Sequence, residues 1–341
     1  MEQDNKIPWY LKQTDKELIE KFKFIQYQED ERLREATNGT ADSRWSLGIS
    51  VLEENDLRNR YVNIMPYERN RVALDVVNGN DYINASYIKV DIPQQSINPG
   101  HYISTQGPTK YTWQQFWQMC YRECPNENIV IVMVTPLKEH GREKCYPYWP
   151  MGGQSDVIKV APRIQCPGGD KNRPNTTSTF FSELQIEYIT SEKHDDNYTL
   201  TTLNLKPTNP KLGPPKLVHH FYFDKWRDMS KPEEVIPIMK LCNHSHSLNS
   251  GGNPIIVHCS AGVGRTGTFI ALDHLIHDTL DFQAQENTIL EVKQYKRDLI
   301  EQIVLQLRSQ RMKMVQIKDQ YIFIYHLALH LREKLAKRVK K

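Results

Sequence analysis

The chain has 341 residues, 39% apolar and 25% charged, with a formal net charge of +3. Those proportions suit a folded globular protein, and so small a charge excess gives no electrostatic case for nucleic acid. No apolar run reaches the roughly 18 residues of a membrane span, and the polar, acidic start MEQDNKIPWY does not read as a signal peptide.

The six cysteines are scattered at 120, 124, 145, 166, 242 and 259 without a C-x-x-C pair. That pattern fits a reducing compartment, so a cytoplasmic protein is expected. Cys120 and Cys124 have a metal-ligand spacing but no second pair, and read as buried thiols. Sequons such as Asn84-Ala85-Ser86 then carry no meaning. The final REKLAKRVKK holds six basic groups against one acidic and reads as a solvated helix end.

Taken in chain order, residues 14–35 place Leu18, Phe22 and Ile25 at helical spacing, which predicts an amphipathic helix. ATNGTADS (36–43) is a loop. Strands are expected at 82–88, 101–106, 129–134, 179–189, 199–205 and 217–223. IVIVMV (129–134) is apolar on both faces and so belongs in the middle of a sheet. A helix is expected at 112–123, and 151–177 reads as a long surface excursion with few large apolar residues. Beyond residue 230 helices dominate, at 232–245, 266–280, 297–311 and 319–335. Pro232 and two acids favour the start of the first of these. His244 and His246 read as a solvated loop pair rather than metal ligands. There is no internal repeat. Strands first and helices later give an α+β protein with a central twisted mixed β-sheet flanked by helices. The whole chain, 1–341, reads as one domain with a helical N-terminal segment at 1–45.

The strand IIVH (255–258) runs straight into CSAGVGRTG, and a helix follows at once. Strand, tight Gly-containing loop and helix N-terminus make an anion cradle, because backbone N–H groups converge and the helix dipole adds positive charge. Gly262, Gly264 and Gly267 let the backbone curl and approach a ligand. Arg265 offers a planar fork that matches two phosphate oxygens. Cys259 lies at the base of the cradle, where that environment lowers its pKa and makes it a nucleophile aimed at phosphorus. By average composition, H-C-x5-R-[ST] arises by chance in roughly one such chain per thousand.

HCSAGVGRTG resembles the signature of the non-receptor protein-tyrosine phosphatases, and further family motifs follow in order. NRYVNIMPYERNRV (59–72) is similar to the phosphotyrosine-recognition loop. DYINASYI (81–88) and STQGP (104–108) are similar to core sheet segments, and EHGREKCYPYWP (139–150) to the E-loop region. KWRDMSKPEE (225–234) is similar to the mobile acid loop and MVQIKDQYIFIY (314–325) to the Gln loop. The resemblance covers about residues 55–331, and its fine detail is nearest the small cytosolic members from budding yeasts.

The resemblance implies an α+β fold and a metal-independent, cofactor-free hydrolase acting in signalling on phosphotyrosine-containing proteins. Cys259 is then the nucleophile and Arg265 the phosphoryl grip. Ser260, Ala261, Gly262, Val263 and Gly264 surround the phosphate. Thr266 hydrogen-bonds the sulfur, and His258 tunes the thiolate indirectly. Asp228 is the general acid and then base. Arg227 replaces the family's usual Pro beside it, so the loop should move at an altered rate. Trp226 is the loop hinge. Gln316 positions water, assisted by Gln320. Glu139 orients Arg265, and Lys144 contacts the acid loop. Tyr61 walls a pocket too deep for phosphoserine. Asn63 faces the substrate backbone without a negative charge, so acidic peptides should be less repelled. Lys313 lies near the gateway and argues against a second phosphotyrosine site. A low-pKa thiolate also implies reversible oxidative inactivation. The protein is expected to act as a monomer, without nucleic acid or membrane. Two other readings are a catalytically weak phosphotyrosine-binding module and a dual-specificity phosphatase. The complete set Cys259, Arg265, Asp228 and Gln316 opposes the first, and Tyr61 opposes the second.

Overall fold

The computed structural model describes residues 7–38, 43–153, 156–166, 176–231, 234–282 and 297–338, the last three by backbone alone. Its centre is a nine-stranded sheet. In chain order the strands are β1 (Arg71–Ala73), β2 (Tyr82–Val90), β3 (Gly100–Thr105), β4 (Asn128–Met133) and β5 (Val157–Val160). Then come β6 (Leu184–His194), β7 (Tyr198–Pro207), β8 (Lys216–Tyr222) and β9 (Ile255–His258). Across the sheet the order is β1-β2-β3-β9-β4-β8-β7-β6-β5. β3, β9, β4 and β8 run parallel, and antiparallel pairs flank them, so the sheet is mixed as expected.

β4 takes the middle position, and its side chains explain the apolar run. Val130 and Val132 join one buried cluster, whereas Ile129, Ile131 and Met133 join another on the opposite face. A strand covered on both sides has no polar face to show. Helix α2 (Trp113–Glu123) packs into the second cluster. Helices α1 (Asp15–Asn38), α3 (Val235–Leu248), α4 (Gly264–Asp278), α5 (Leu299–Gln310) and α6 (Lys318–Arg338) cover the first.

α1 starts at a capping box. The Thr14 N–H donates to Glu17 Oε2 at 2.7 Å, and the Thr14 hydroxyl accepts from the Glu17 N–H at 3.4 Å. Its buried stripe is Leu18, Phe22, Ile25 and Glu29, spaced as one face of a helix.

Several expectations need correction. The segment 179–189 is not one strand. Thr177–Thr179 belongs to a separate three-stranded sheet, and β6 begins only at Leu184. The chain turns between them, burying Phe180 and exposing Phe181. The 151–177 excursion carries β5 and the strand Arg163–Gln165, because Val160, Ile164 and Cys166 are buried after all. Residues 167–175 lie outside the described residues, as do Pro232 and Glu233 of the helix-start signal. His244 and His246 lie on α3, hydrogen-bonded to Tyr198 at 2.9 Å and Asp273 at 3.1 Å, rather than in a loop. Cys120 and Cys124 are fully buried, and Asn84 and Ser86 of the sequon are core residues.

Candidate active site

β9 ends at His258, and α4 begins at Gly264. Residues 259–263 form the loop between them, at the carboxyl end of a central parallel strand where α/β ligand sites form. Gly262 has φ +73°, and a Cβ there would sit 2.1 Å from the Thr105 carbonyl oxygen. No other residue fits. The Gly262 carbonyl is held from behind by the Ser104 hydroxyl at 2.8 Å and by Arg311 Nε at 2.9 Å. With its carbonyls tied outward, the loop turns N–H groups inward.

The Cys259 sulfur accepts from the Gly262 N–H at 3.2 Å. Burial pushes the thiol up, but the Arg265 charge, Thr266 and the Val263 and Thr266 amides bring it below the usual cysteine range. The Thr266 hydroxyl contributes to that lowering but lies outside good hydrogen-bond geometry with any group. His258 is fully buried, and burial lowers it to about 4, so it is neutral. Its Nδ1 faces the Cys259 carbonyl at 3.0 Å, and Nε2 faces the Tyr148 hydroxyl at 2.7 Å. The proton therefore sits on Nδ1, Tyr148 donates to Nε2, and His220 Nε2 donates to Tyr148 at 2.7 Å. His258 thus orients the Cys259 backbone and carries no charge.

Arg265 is buried and held on two sides. Its Nη1 donates to the Trp226 carbonyl at 2.8 Å, and its Nη2 lies 3.3 Å from Asp228 Oδ1. Glu139 Oε2 lies 3.8 Å from Nη1, while Oε1 accepts from the Asp228 N–H at 2.9 Å. Glu139 therefore faces both Arg265 and the acid-bearing loop. Lys144 pairs with Asp228 Oδ2 at 2.7 Å. Burial raises the Asp228 carboxyl, but Lys144 and Arg265 more than offset it and hold the group below the ordinary carboxylate range. Trp226 is fully buried, with its indole N–H on the Ser230 carbonyl at 2.8 Å, whereas Arg227 and Met229 are exposed.

These residues converge on one pocket of about 200 Å³. Tyr61, Asn63, Lys144, Asp228, Cys259, Ser260, Ala261, Gly264, Arg265 and Gln316 line it, together with Ile64 and Met229. The Tyr61 hydroxyl bonds the Ser260 hydroxyl at 2.8 Å, fixing the wall to the cradle. Gln320 is buried and does not line the pocket. It accepts from the Gln316 N–H at 3.0 Å and donates to the Ser230 carbonyl at 3.0 Å, joining the Gln-bearing and Asp-bearing loops. Lys313 does not line the pocket.

Sequence reasoning missed Arg311 and the Tyr148–His220 pair. Arg311 is completely buried, and its guanidinium bonds Gly262, Ala261, Asn84 and Ser86. Burial lowers it only to about 10, so it stays charged. His220 carried a signal as a polar residue within the apolar run LVHHFYF (217–223), whereas Arg311, flanked by Ser309, Gln310 and Lys313, carried none.

The family model for protein-tyrosine phosphatase matches residues 55–330. Tyrosine-protein phosphatase 1 of Saccharomyces cerevisiae is 66% identical over 328 residues, covering 95% of this chain and 97% of that protein. Tyrosine-protein phosphatase 1 of Schizosaccharomyces pombe is 33% identical over 89% of this chain and 50% of its own length. A solved structure of PTPN18 in complex with HER2 phosphopeptides has a TM-score of 0.71 at 23% identity, covering 92% of this chain and 99% of that one. That likeness is one of fold. The extent of the family match and the 66% relative lead to one conclusion: this chain belongs to the protein-tyrosine phosphatase family of hydrolases.

Proposed function

We propose that the chain hydrolyses phosphotyrosine in proteins through a cysteinyl-phosphate intermediate, with Cys259 as nucleophile. In the first step the thiolate attacks phosphorus, an S–P bond forms, and the P–O bond to the tyrosyl oxygen breaks. Asp228 gives that oxygen its proton, so a neutral phenol leaves. In the second step a water held by Gln316 attacks phosphorus and returns its proton to Asp228. The S–P bond breaks, inorganic phosphate leaves, and Thr266 receives the returning thiolate. Arg265 and the loop amides hold the equatorial oxygens throughout, which supplies the positive charge without a metal or cofactor.

The observation that carries this reading is the convergence of the Cys259 sulfur, Arg265, Asp228 and Gln316 on one pocket. The first step needs Asp228 protonated, and its low carboxyl opposes this until substrate binds. Lys144 and Arg265 favour the carboxylate. A phosphate dianion bound to Arg265 takes away one of those partners and sets negative charge nearby, which favours the protonated acid. Substrate binding thus charges the acid for the first step. The Tyr61 wall and the phosphopeptides bound by PTPN18 support phosphotyrosine as the substrate class. Six unpaired cysteines support a cytoplasmic site of action, and no helix among the described residues is long and apolar enough to cross a membrane.

Acid quench of Gln316→Ala during turnover of a phosphotyrosine peptide tests the mechanism. Mass spectrometry should find a phosphate on Cys259 at higher occupancy than in wild type. Phosphate on another residue, or on none while phosphotyrosine is still consumed, would contradict it.

A further inference from the structure

We propose that Glu29, on α1 and outside the span that the family model matches, positions Gln316 for the second half of the reaction. The inference rests on the reading of Gln316 as the residue that holds the hydrolytic water. Glu29 is buried at the end of the apolar stripe of α1. Its two carboxylate oxygens have separate partners. Oε2 accepts from Arg308 Nη1 at 2.7 Å, and Oε1 accepts from the Lys313 N–H at 2.7 Å. Arg308 in turn donates from Nε to the Met314 carbonyl at 2.5 Å and from Nη2 to the Val315 carbonyl at 2.7 Å. One ion pair therefore grips the backbone of three successive residues immediately before Gln316.

That backbone needs gripping. Lys313 has φ +59° and Val315 has φ +56°. A β-branched residue in the left-handed region is a true outlier, which persists only where its surroundings enforce it. The far side is enforced too. The Val315 N–H donates to the Val263 carbonyl at 3.1 Å, and a Cβ on Gly267 would come within 2.5 Å of the Val315 nitrogen. The strained turn is thus pressed between the phosphate cradle and the Glu29–Arg308 pair, and Gln316 leaves it pointing into the pocket. Glu29 touches no reacting atom. It is a positioning residue, and its effect belongs to hydrolysis of the intermediate because Gln316 does.

Stopped-flow hydrolysis of p-nitrophenyl phosphate by Glu29→Gln separates the two steps. Formation of the cysteinyl-phosphate should stay within about twofold of wild type, and its hydrolysis should slow at least about tenfold. kcat and KM then fall together, kcat/KM holds, and a burst of p-nitrophenol appears. Arg308→Lys keeps the charge but loses the planar fork that grips the Met314 and Val315 carbonyls, and should show the same split if Glu29→Gln folds poorly. Leu18→Ala, on the same stripe, removes packing alone and should leave the split unmoved. Equal losses in kcat and kcat/KM in both turn variants, unchanged hydrolysis, or the same burst in Leu18→Ala would each overturn the proposal. A wild type without turnover would sink the underlying reading itself. Active wild type with an unaltered Glu29→Gln would sink this inference alone.

Discussion

Among the six cysteines, Cys259 alone has surroundings that lower its pKa; burial raises Cys120, Cys124, Cys145, Cys166 and Cys242. The sign has a direct consequence. A depressed folded-state pKa keeps the thiolate populated as pH falls below the ordinary thiol range, and it is lost only below the folded value. Brief iodoacetamide treatment at a pH just below the ordinary thiol range should therefore alkylate Cys259 and spare the other five, as read by peptide mass spectrometry. Prior binding of phosphate should protect it. Asp228 gives a second prediction. Lys144 contributes to holding its carboxyl low, so Lys144→Met should raise the pH at which Asp228 ionises. The carboxyl carbon shift of the free enzyme measures this, and an unchanged or lower midpoint would contradict the pairing. Cys259 and Arg265 were legible because the chemistry of the cradle is written within one loop. Asp228 was not, among 41 acidic residues. Its partners Lys144 and Arg265 lie 84 and 37 positions away, so only resemblance could select it. Arg311 and Tyr148 stayed hidden for the same reason, since their partners come from distant strands.

Elements with one apolar face were readable from periodicity alone. α1 is an example, and β4 could be placed mid-sheet because it lacks a polar face. The reading failed at 177–194, where two strands of different sheets abut and a turn with two adjacent Phe residues mimics strand composition. It also passed over Glu29, although the stripe Leu18, Phe22, Ile25 ends on it four positions later. A charge at a core position of an amphipathic helix signals a buried partner. Here that partner is Arg308, with both side chains almost wholly removed from solvent. Glu29→Ala leaves the guanidinium buried and unpaired, so it should lower unfolding free energy by about 3–5 kcal/mol. Urea denaturation followed by circular dichroism checks this. A loss within about 0.5 kcal/mol, the range of an ordinary surface change, would show that the pair does not hold α1 to the turn.

At the scale of the molecule, the parallel centre of the sheet brings the site together. β9 delivers Cys259 and β3 delivers the Ser104 that braces the loop; β8 leads into the segment carrying Asp228. Cores on both faces fix the strands against one another, so residues from 61 to 316 meet in a pocket of about 200 Å³. Depth is the specificity argument. Tyr61 stands as a wall tied to Ser260, and a short phosphoserine side chain should not carry its phosphorus down to the Cys259 sulfur. The most direct measurement is turnover of matched phosphotyrosine and phosphoserine peptides in EDTA by wild type, Cys259→Ser and Asp228→Ala. Only the phosphotyrosine peptide should be hydrolysed, Cys259→Ser should abolish turnover, and Asp228→Ala should slow it by about 10²–10⁴-fold. Rapid phosphoserine hydrolysis, or phosphotyrosine turnover that survives Cys259→Ser, would contradict the account.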